Sequence, residues 1–134
     1  TVMMAGRFHY YEGYSLAEVT FPIRVMNHLG VERMIITNVS GSLQPHFKAG
    51  DILIVNDHIN LIPSNPLRGA NDERLGPRFP DMVNIYDSTI IAKAKKMAEM
   101  NQIRFQEGVY VALPGPSLET KAERIFFIFG KFCF

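Results

Sequence analysis

The sequence predicts an α/β protein with a central mixed, largely parallel β-sheet flanked by helices. Two observations carry this prediction. Short apolar runs rich in Ile and Val alternate along the chain with stretches of helical periodicity, and small-residue or Pro/Gly turns follow the apolar runs. Alternation of strands with helices is typical of parallel sheets, in which ligand contacts lie at the strand ends.

At the start of the chain, Val2 to Ala5 is expected to belong to a strand that has already begun, since no turn or cap precedes it. This start suggests that the chain begins inside a larger protein. Ser15 and Glu18 form a capping box, which predicts that a helix starts at Ser15. Gly30 is placed to end that helix in a left-handed conformation.

The middle of the chain predicts two buried strands and a long loop. Arg33 to Thr37 is an apolar run followed by the small-residue turn Asn38 to Ser42. Asp51 to Asn56 repeats the pattern, and Asp57 to Asn60 is expected to lead out of the sheet. The stretch from Asn60 to Pro80 is rich in Pro, Gly and Arg and shows no apolar period, which predicts a functional or disordered loop.

The last third predicts two helices around a third buried strand. Asp87 can cap a helix with one apolar face. Val109 to Leu113 is an apolar run that ends in the turn Pro114 to Ser117. Thr120 and Glu123 form a second capping box, which predicts a final helix.

Composition fits one globular domain and excludes several classes of function. The 134 residues are 47% hydrophobic, and 14 Lys and Arg against 13 Asp and Glu give a net charge of +1, so no global field favours nucleic acid or an acidic membrane. The single cysteine, Cys133, excludes an intrachain disulfide and fits a reducing, cytoplasmic compartment. The four histidines lack metal-ligand spacing, so no metal is expected.

Three loops are expected to converge on one crevice, each following a predicted strand: Gly6 to His9, Asn38 to Ser42, and Pro114 to Thr120. Arg7 and His9 would point the same way from an extended segment, and a guanidinium beside an imidazole suits a phosphate oxyanion. An exposed Arg beside a His satisfied by a carbonyl explains the same pair.

The other two loops leave similar alternatives open. Small side chains in Asn38 to Ser42 would let a flat ligand or an anion approach the backbone N–H groups, but a plain tight turn has the same composition. Glu119 is placed to hydrogen-bond a polar ligand edge, and a carboxylate in the first turn of a helix is also favoured by the helix dipole.

Read together, these loops resemble the signatures of the trimeric, 6-oxopurine-type purine nucleoside phosphorylases. Five segments resemble family motifs in the same order. They are Gly6-Arg7-Phe8-His9-Tyr10-Tyr11-Glu12-Gly13-Tyr14, Thr37-Asn38-Val39-Ser40-Gly41-Ser42-Leu43, Asp57-His58-Ile59-Asn60-Leu61, Asn65-Pro66-Leu67-Arg68-Gly69 with Asn71-Asp72-Glu73-Arg74, and Gly115-Pro116-Ser117-Leu118-Glu119-Thr120. Val39, Ser40 and Ser42 depart from the second motif.

The resemblance implies a nucleoside phosphorylase-like fold and extends to about Glu123. Residues 1–124 are expected to be the central part of a single nucleoside phosphorylase domain, and residues 125–134 an atypical, truncated end. The family's N-terminal phosphate loop and C-terminal substrate residues do not occur in this chain. The 134-residue chain expressed alone is therefore expected to aggregate and to show no phosphorolysis.

The resemblance also implies a role for each matched residue. Arg7, His9 and the backbone N–H of Val39 bind phosphate, and Tyr11 sits against the ribose. Ser40, Gly41, Leu118 and Glu119 line the base site. His9 and Glu119 are the catalytic pair, and Phe79 reaches into the site of the neighbouring subunit of a homotrimer.

The implied reaction is cleavage of inosine or guanosine by phosphate to the free purine and ribose 1-phosphate, with no cofactor besides the co-substrate phosphate. Two alternatives remain open. One is a methylthioadenosine phosphorylase-like enzyme, against which Glu119 argues. The other is an inactive phosphorylase fragment that acts as a non-catalytic interaction module.

Overall fold

The computed structural model describes residues 1–129, which contain three α-helices, two β-strands and one short 3-10 turn. The elements are the 3-10 turn Tyr10–Glu12, α1 Leu16–His28, β1 Ile52–Asn60, α2 Ser88–Met100, β2 Phe105–Ala112 and α3 Lys121–Phe129. Residues 130–134, which include Cys133 and half of the expected atypical end, lie outside the described residues.

The sheet consists of β1 and β2, which pair in parallel, and α2 lies between them in the chain. Ile52 pairs with Phe105 at one end and Asn60 with Ala112 at the other, with a register shift between Val55 and Asp57. A parallel pair joined through a helix is the βαβ unit, so the predicted α/β class with a parallel sheet is confirmed.

The helix starts are confirmed at the residues that the capping patterns predicted. Ser15 caps α1: its backbone N–H donates to Glu18 Oε2 at 2.7 Å, and Glu18 N–H donates back to Ser15 Oγ at 3.3 Å. The hydrogen bonds that the Ser15 hydroxyl and amide donate lower the pKa of the Glu18 carboxyl. Gly30 follows α1 with φ of 81°, the left-handed conformation expected there.

The two later helices are capped in the same way. Asp87 Oδ1 accepts from the backbone N–H groups of Thr89 at 2.8 Å and Ile90 at 3.1 Å, which lowers the pKa of that carboxyl. At the start of α3, Thr120 N–H donates to Glu123 Oε2 at 2.7 Å and Glu123 N–H donates to Thr120 Oγ1 at 3.2 Å. Local capping geometry therefore determines where α2 and α3 begin.

Both strands are longer and less buried than predicted. The expectation that Asp57 to Asn60 leads out of the sheet is wrong, since these residues continue β1 and pair with residues 109–112. β2 starts at Phe105 rather than at Val109, because residues 105–108 find partners on β1. Most of their side chains are half-buried or exposed, because few described residues cover the sheet.

Two further predicted strands are wrong in the structure. Val2 to Ala5 and Arg33 to Thr37 form no strand, and Ile35 in the second segment is 80% exposed. Both segments have apolar composition, but a strand requires a hydrogen-bonded neighbour. Neither segment finds such a neighbour within residues 1–129.

A small core joins the sheet, α3 and the segment after the second loop. Its buried residues are Leu43, Val111 and Phe127, with Ile59 and Leu113 packed against them. Leu43 immediately follows the loop Asn38 to Ser42, and Leu113 immediately precedes the loop Pro114 to Thr120. The core therefore holds two of the three predicted ligand loops at one end of the sheet.

The chain exposes much more surface than a compact monomer of its size. Its accessible area is 10920 Å², against about 7,100 Å² for a compact chain of this mass. Large apolar side chains such as Met3, Ile35 and Phe126 account for part of the excess. Surface of this kind favours association, in keeping with the expected aggregation of the chain expressed alone, which stays a prediction.

Truncating Phe127 to Ala in the full protein is expected to lower the free energy of unfolding by about 3–5 kcal/mol, because this core side chain is only 5% exposed. The adjacent Phe126 is 69% exposed and is the matched control. Phe126→Ala is expected to cost about 1 kcal/mol or less, mainly its edge contact with Phe127. Urea unfolding measures both, and equal losses would show that Phe127 is not part of the core.

Candidate active site

The first loop places two candidate ligand residues side by side. Tyr10–Glu12 forms one 3-10 turn, which ends at Gly13 with φ of 95°. The backbone N–H of His9 donates to Glu12 Oε2 at 3.0 Å, which fixes the start of the turn. The imidazole of His9 stacks on the ring of Tyr11, with centroids 4.8 Å apart and planes 23° apart. The candidate phosphate residue His9 and the candidate ribose residue Tyr11 are therefore neighbours.

The first loop also contacts the second. Arg7 Nη2 donates a hydrogen bond to the backbone carbonyl of Thr37, thirty residues later in the chain. Thr37 immediately precedes the loop Asn38 to Ser42, so the guanidinium of Arg7 lies at the beginning of that loop. Arg7 and His9 thus have different neighbours, although both belong to the same loop.

The second loop is open to solvent. Val39, Ser40 and Gly41 are all exposed, and the side chain of Val39 is uncovered. Ser42 Oγ accepts from the backbone N–H of Gln44 at 3.1 Å, which closes a turn around the core residue Leu43. Accessible backbone N–H groups beside a guanidinium are suited to bind an anion.

The third loop lies beside the 3-10 turn that follows the first loop. A Cβ atom placed on Gly115 would lie 3.7 Å from Tyr11 Cβ, and Gly115 has a left-handed φ of 60°. A glycine is favoured here because the backbone conformation disfavours L side chains. The contact places Tyr11 beside the Pro114 to Thr120 loop, so the three predicted loops form one connected group.

Glu119 lines a groove in front of α3. The groove has a volume of about 250 Å³ and combines the half-buried Glu119 carboxylate with two cations and an apolar wall. The lining residues are Glu119, Lys121, Arg124, Ile125 and Ile128. Leu118 points away from its own chain and is 88% exposed. The arrangement offers an acceptor for a polar ligand edge beside an apolar surface.

Lys121 and Arg124 were not predicted as site residues. Their spacing from Glu119, two and five residues along, gave no signal, because positions two apart do not share a helix face and Glu119 precedes α3. Lys121 is one residue past the capping Thr120, and the hydrogen bonds from Thr120 lower the pKa of Glu123 in the same turn. The capping box therefore lies directly between Glu119 and the first turn of α3, which supplies Lys121 and Arg124 to the groove.

A second unpredicted contact joins the segment before α2 to the sheet. His58 Nδ1 lies 3.0 Å from Tyr86 Oη, and the two rings meet edge to face at 5.9 Å. Burial raises the pKa of the Tyr86 hydroxyl, and the nearby Asp57 carboxylate adds to the effect. The contact links β1 to the segment between the long loop and α2.

Phe79 lies on the long loop, outside the three candidate ligand loops. Its ring is 88% exposed, so its own chain covers little of it.

The part of the chain that the structure describes contains no group of three or more His, Cys, Asp or Glu able to hold a metal ion. No helix of residues 1–129 is long and apolar enough to cross a membrane.

The chain is similar to known nucleoside-cleaving enzymes over almost its whole length. Residues 1–130 match the phosphorylase superfamily. The chain is 52% identical over 122 residues to purine nucleoside phosphorylase 1 of Bacillus subtilis and 55% identical over 129 residues to purine nucleoside phosphorylase of Mus musculus. Each alignment covers 91% of this chain but only 45% and 44% of those proteins. The chain thus spans less than half the length of the curated relatives it matches.

Solved structures agree with the sequence matches. The purine nucleoside phosphorylase of Schistosoma mansoni, crystallised in complex with adenosine, is 42% identical and superposes with a TM-score of 0.89. Isoform 2 from the same organism, in complex with cytosine and ribose-1-phosphate, is 40% identical with the same TM-score. The superpositions cover 97% of this chain and 48% and 47% of those structures.

Proposed function

Because the chain belongs to the phosphorylase superfamily, we propose that the full protein is a purine nucleoside phosphorylase that cleaves inosine or guanosine with inorganic phosphate. The products are the free purine and ribose 1-phosphate. The observation that carries the proposal is the connection of the three loops: Arg7 contacts Thr37, and Tyr11 lies beside Gly115. These contacts connect the segments that carry the residues suited to phosphate, ribose and base.

Phosphate binds where the first and second loops meet. The guanidinium of Arg7 supplies a planar, permanently charged donor, and His9, from the same loop, supplies a ring N–H. The exposed loop contributes the backbone N–H of Val39, which no side chain covers. The guanidinium of Arg7 makes this point locally positive, although the net charge of the whole chain is only +1. A bound anion neutralises that local charge.

The nucleoside lies between the first and third loops. Tyr11 packs against the ribose, and Glu119 accepts a hydrogen bond from the N1–H edge of a 6-oxopurine. Ser40, Gly41 and Leu118 line the base. Leu118 is exposed in the described chain and is therefore free to contact a planar ligand.

The chemistry follows from where charge develops. Breaking the N-glycosidic bond builds positive charge on the ribose and negative charge on the departing purine, so a catalyst must stabilise both. Bound phosphate places an anion beside the ribose and then attacks C1 as the bond to the purine nitrogen breaks. Glu119 orients the base as it leaves. Phosphate is the co-substrate, and no cofactor takes part.

A 6-aminopurine nucleoside is the second candidate substrate. It is supported by the Schistosoma mansoni relative, a purine nucleoside phosphorylase whose structure holds adenosine. The carboxylate of Glu119 favours the 6-oxopurines, because N1 of inosine and guanosine carries a hydrogen to donate, whereas N1 of adenosine does not.

The proposed assembly is a homotrimer in which Phe79 completes the site of the neighbouring subunit. The exposed aromatic ring of Phe79 supports a contact with a neighbouring subunit. A cytoplasmic location is also proposed, since the single cysteine, Cys133, fits a reducing compartment.

The substrate proposal is tested by giving the full protein inosine, guanosine and adenosine separately, each with phosphate. Chromatographic measurement of the released base is expected to show rapid cleavage of inosine and guanosine and slower cleavage of adenosine. Adenosine as the best substrate would contradict the 6-oxopurine assignment and favour the second candidate.

A further inference from the structure

Arg78 closes the middle of the long loop on itself. Its Nη1 atom donates two hydrogen bonds to backbone carbonyl oxygens, to Leu67 at 3.0 Å and to Gly69 at 2.7 Å. The acceptors precede Arg78 by eleven and nine residues, so one guanidinium nitrogen spans a large part of a segment without helix or strand. Hydrogen bonds from a charged donor are stronger than those between neutral groups.

The carbonyls that receive these bonds belong to an ordered turn. Asn65 Oδ1 accepts from the backbone N–H of Leu67 at 2.8 Å, and Asn65 O accepts from the backbone N–H of Arg68 at 3.1 Å. Gly69, which follows Arg68, has φ of 119°, a backbone conformation that residues with a side chain disfavour. Arg78 is therefore attached to a turn whose own backbone is already constrained.

The same guanidinium lies against the following residue. Its central carbon is 5.9 Å from the centroid of the Phe79 ring, within the range of a cation–π contact. Phe79 is nevertheless 88% exposed. An exposed aromatic side chain that is already oriented loses less conformational freedom when it enters another surface.

We propose that Arg78 is a positioning residue that holds Phe79 in the orientation needed to enter the neighbouring subunit's site. Arg78 itself contacts no substrate and acts only through Phe79. This inference rests on the proposed function, in which Phe79 completes the nucleoside site of another subunit. It adds a residue whose contribution lies entirely outside the three loops.

The loop contains a matched control. Arg74 is also exposed and lies four residues before Arg78, but its guanidinium pairs with the side chain of Asp72, at 2.6 Å and 2.8 Å, and with no other side chain of residues 1–129. That pair spans two residues and fixes no distant part of the loop. Arg74→Ala removes the same charge from the same loop without removing the contacts to Leu67 and Gly69.

The test measures steady-state phosphorolysis of inosine by the full protein and five variants: Arg78→Ala, Arg78→Lys, Phe79→Ala, the Arg78→Ala/Phe79→Ala double variant and Arg74→Ala. Arg78→Ala is expected to raise KM for inosine about tenfold and to leave KM for phosphate unchanged. Arg74→Ala is expected to match the wild type. Arg78→Lys is expected to lie in between, since an ammonium lacks the planar fork.

The double variant separates positioning from general stability. If Arg78 acts through Phe79, the double variant has the same KM for inosine as Phe79→Ala alone. The inference would be overturned if the two single substitutions raised KM for inosine multiplicatively in the double variant. An unchanged KM for inosine in a folded Arg78→Ala variant would overturn it as well. Should Arg78→Ala not fold, Arg78→Lys carries the test, and a wild-type KM in that variant overturns the inference equally.

Failure of the proposed function gives a different result. A wild-type protein without phosphorolysis, or a Phe79→Ala variant with wild-type kinetics, contradicts the proposed function and the inference with it. A raised KM in Phe79→Ala combined with wild-type kinetics in Arg78→Ala contradicts the inference alone.

Discussion

Replacement of Arg7 by Ala is expected to raise KM for phosphate by roughly 10-fold to 150-fold, since a hydrogen bond to a charged group contributes about 1.5–3 kcal/mol. The guanidinium already reaches across to the carbonyl of Thr37, at the start of the exposed second loop. Removal of this side chain takes away both the charge at the proposed anion site and the link between the two loops. Initial rates over a range of phosphate concentrations measure the effect.

Two variants make the interpretation specific. Arg7→Lys retains the charge but loses the planar fork, so KM for phosphate is expected to lie between those of the wild type and Arg7→Ala. Arg24→Ala removes an exposed arginine from α1 and is expected to leave KM for phosphate unchanged. An unchanged KM in Arg7→Ala, or a rise confined to KM for inosine, would show that Arg7 does not bind phosphate.

Replacement of Glu119 by Gln is expected to lower kcat/KM for inosine relative to adenosine by about tenfold or more, because the lost bond involves a charged acceptor. The carboxylate accepts only, whereas the amide can also donate to the unprotonated N1 of adenosine. Half-burial of Glu119 in its groove strengthens the contrast, since solvent compensates less for a mismatched group. Separate measurements of kcat/KM for the two nucleosides give the ratio.

Glu123→Gln is the matched control for this substitution. It makes the same change four residues later on α3, where Gln can still complete the capping box with Thr120. The ratio of kcat/KM for inosine and adenosine is expected to stay at the wild-type value. A ratio that falls equally in both variants would assign the effect to the start of α3 and not to recognition of the base by Glu119.

Helix starts could be predicted from the sequence because capping is local. Ser15, Asp87 and Thr120 each lie within three residues of the groups they bond, so the pattern contains the whole interaction. Strand prediction was less successful because pairing is not local. Arg33 to Thr37 has strand composition but forms no strand, whereas residues 57–60 continue β1 because β2 lies beside them.

The candidate site could also be predicted only in part from the sequence. The motif residues were assigned from the resemblance, and the structure connects their loops through Arg7 with Thr37 and through Tyr11 with Gly115. The groove residues Lys121 and Arg124 depend on how α3 is rotated, which packing of Phe127 into the core determines. No pattern in the sequence predicts the rotation of α3 about its own axis.

The two hydrogen bonds that Arg78 donates to the long loop could not be predicted from the sequence either, because they join residues that are distant in the chain. Its acceptors are backbone carbonyls, which any residue type supplies, so the identities of residues 67 and 69 give no signal. Only the path of the long loop brings them within reach. The resemblance identified Phe79, but not the neighbouring residue that orients it.

The most direct test of the central claim is the stoichiometry of inosine cleavage by the full protein, measured as phosphate consumed and hypoxanthine released in the same reaction. Phosphorolysis at a site built from Arg7, His9 and Glu119 predicts that one phosphate disappears for each hypoxanthine formed, that ribose 1-phosphate accumulates, and that cleavage stops when phosphate is omitted. Release of hypoxanthine at the same rate without phosphate, with free ribose as the product, would contradict the account.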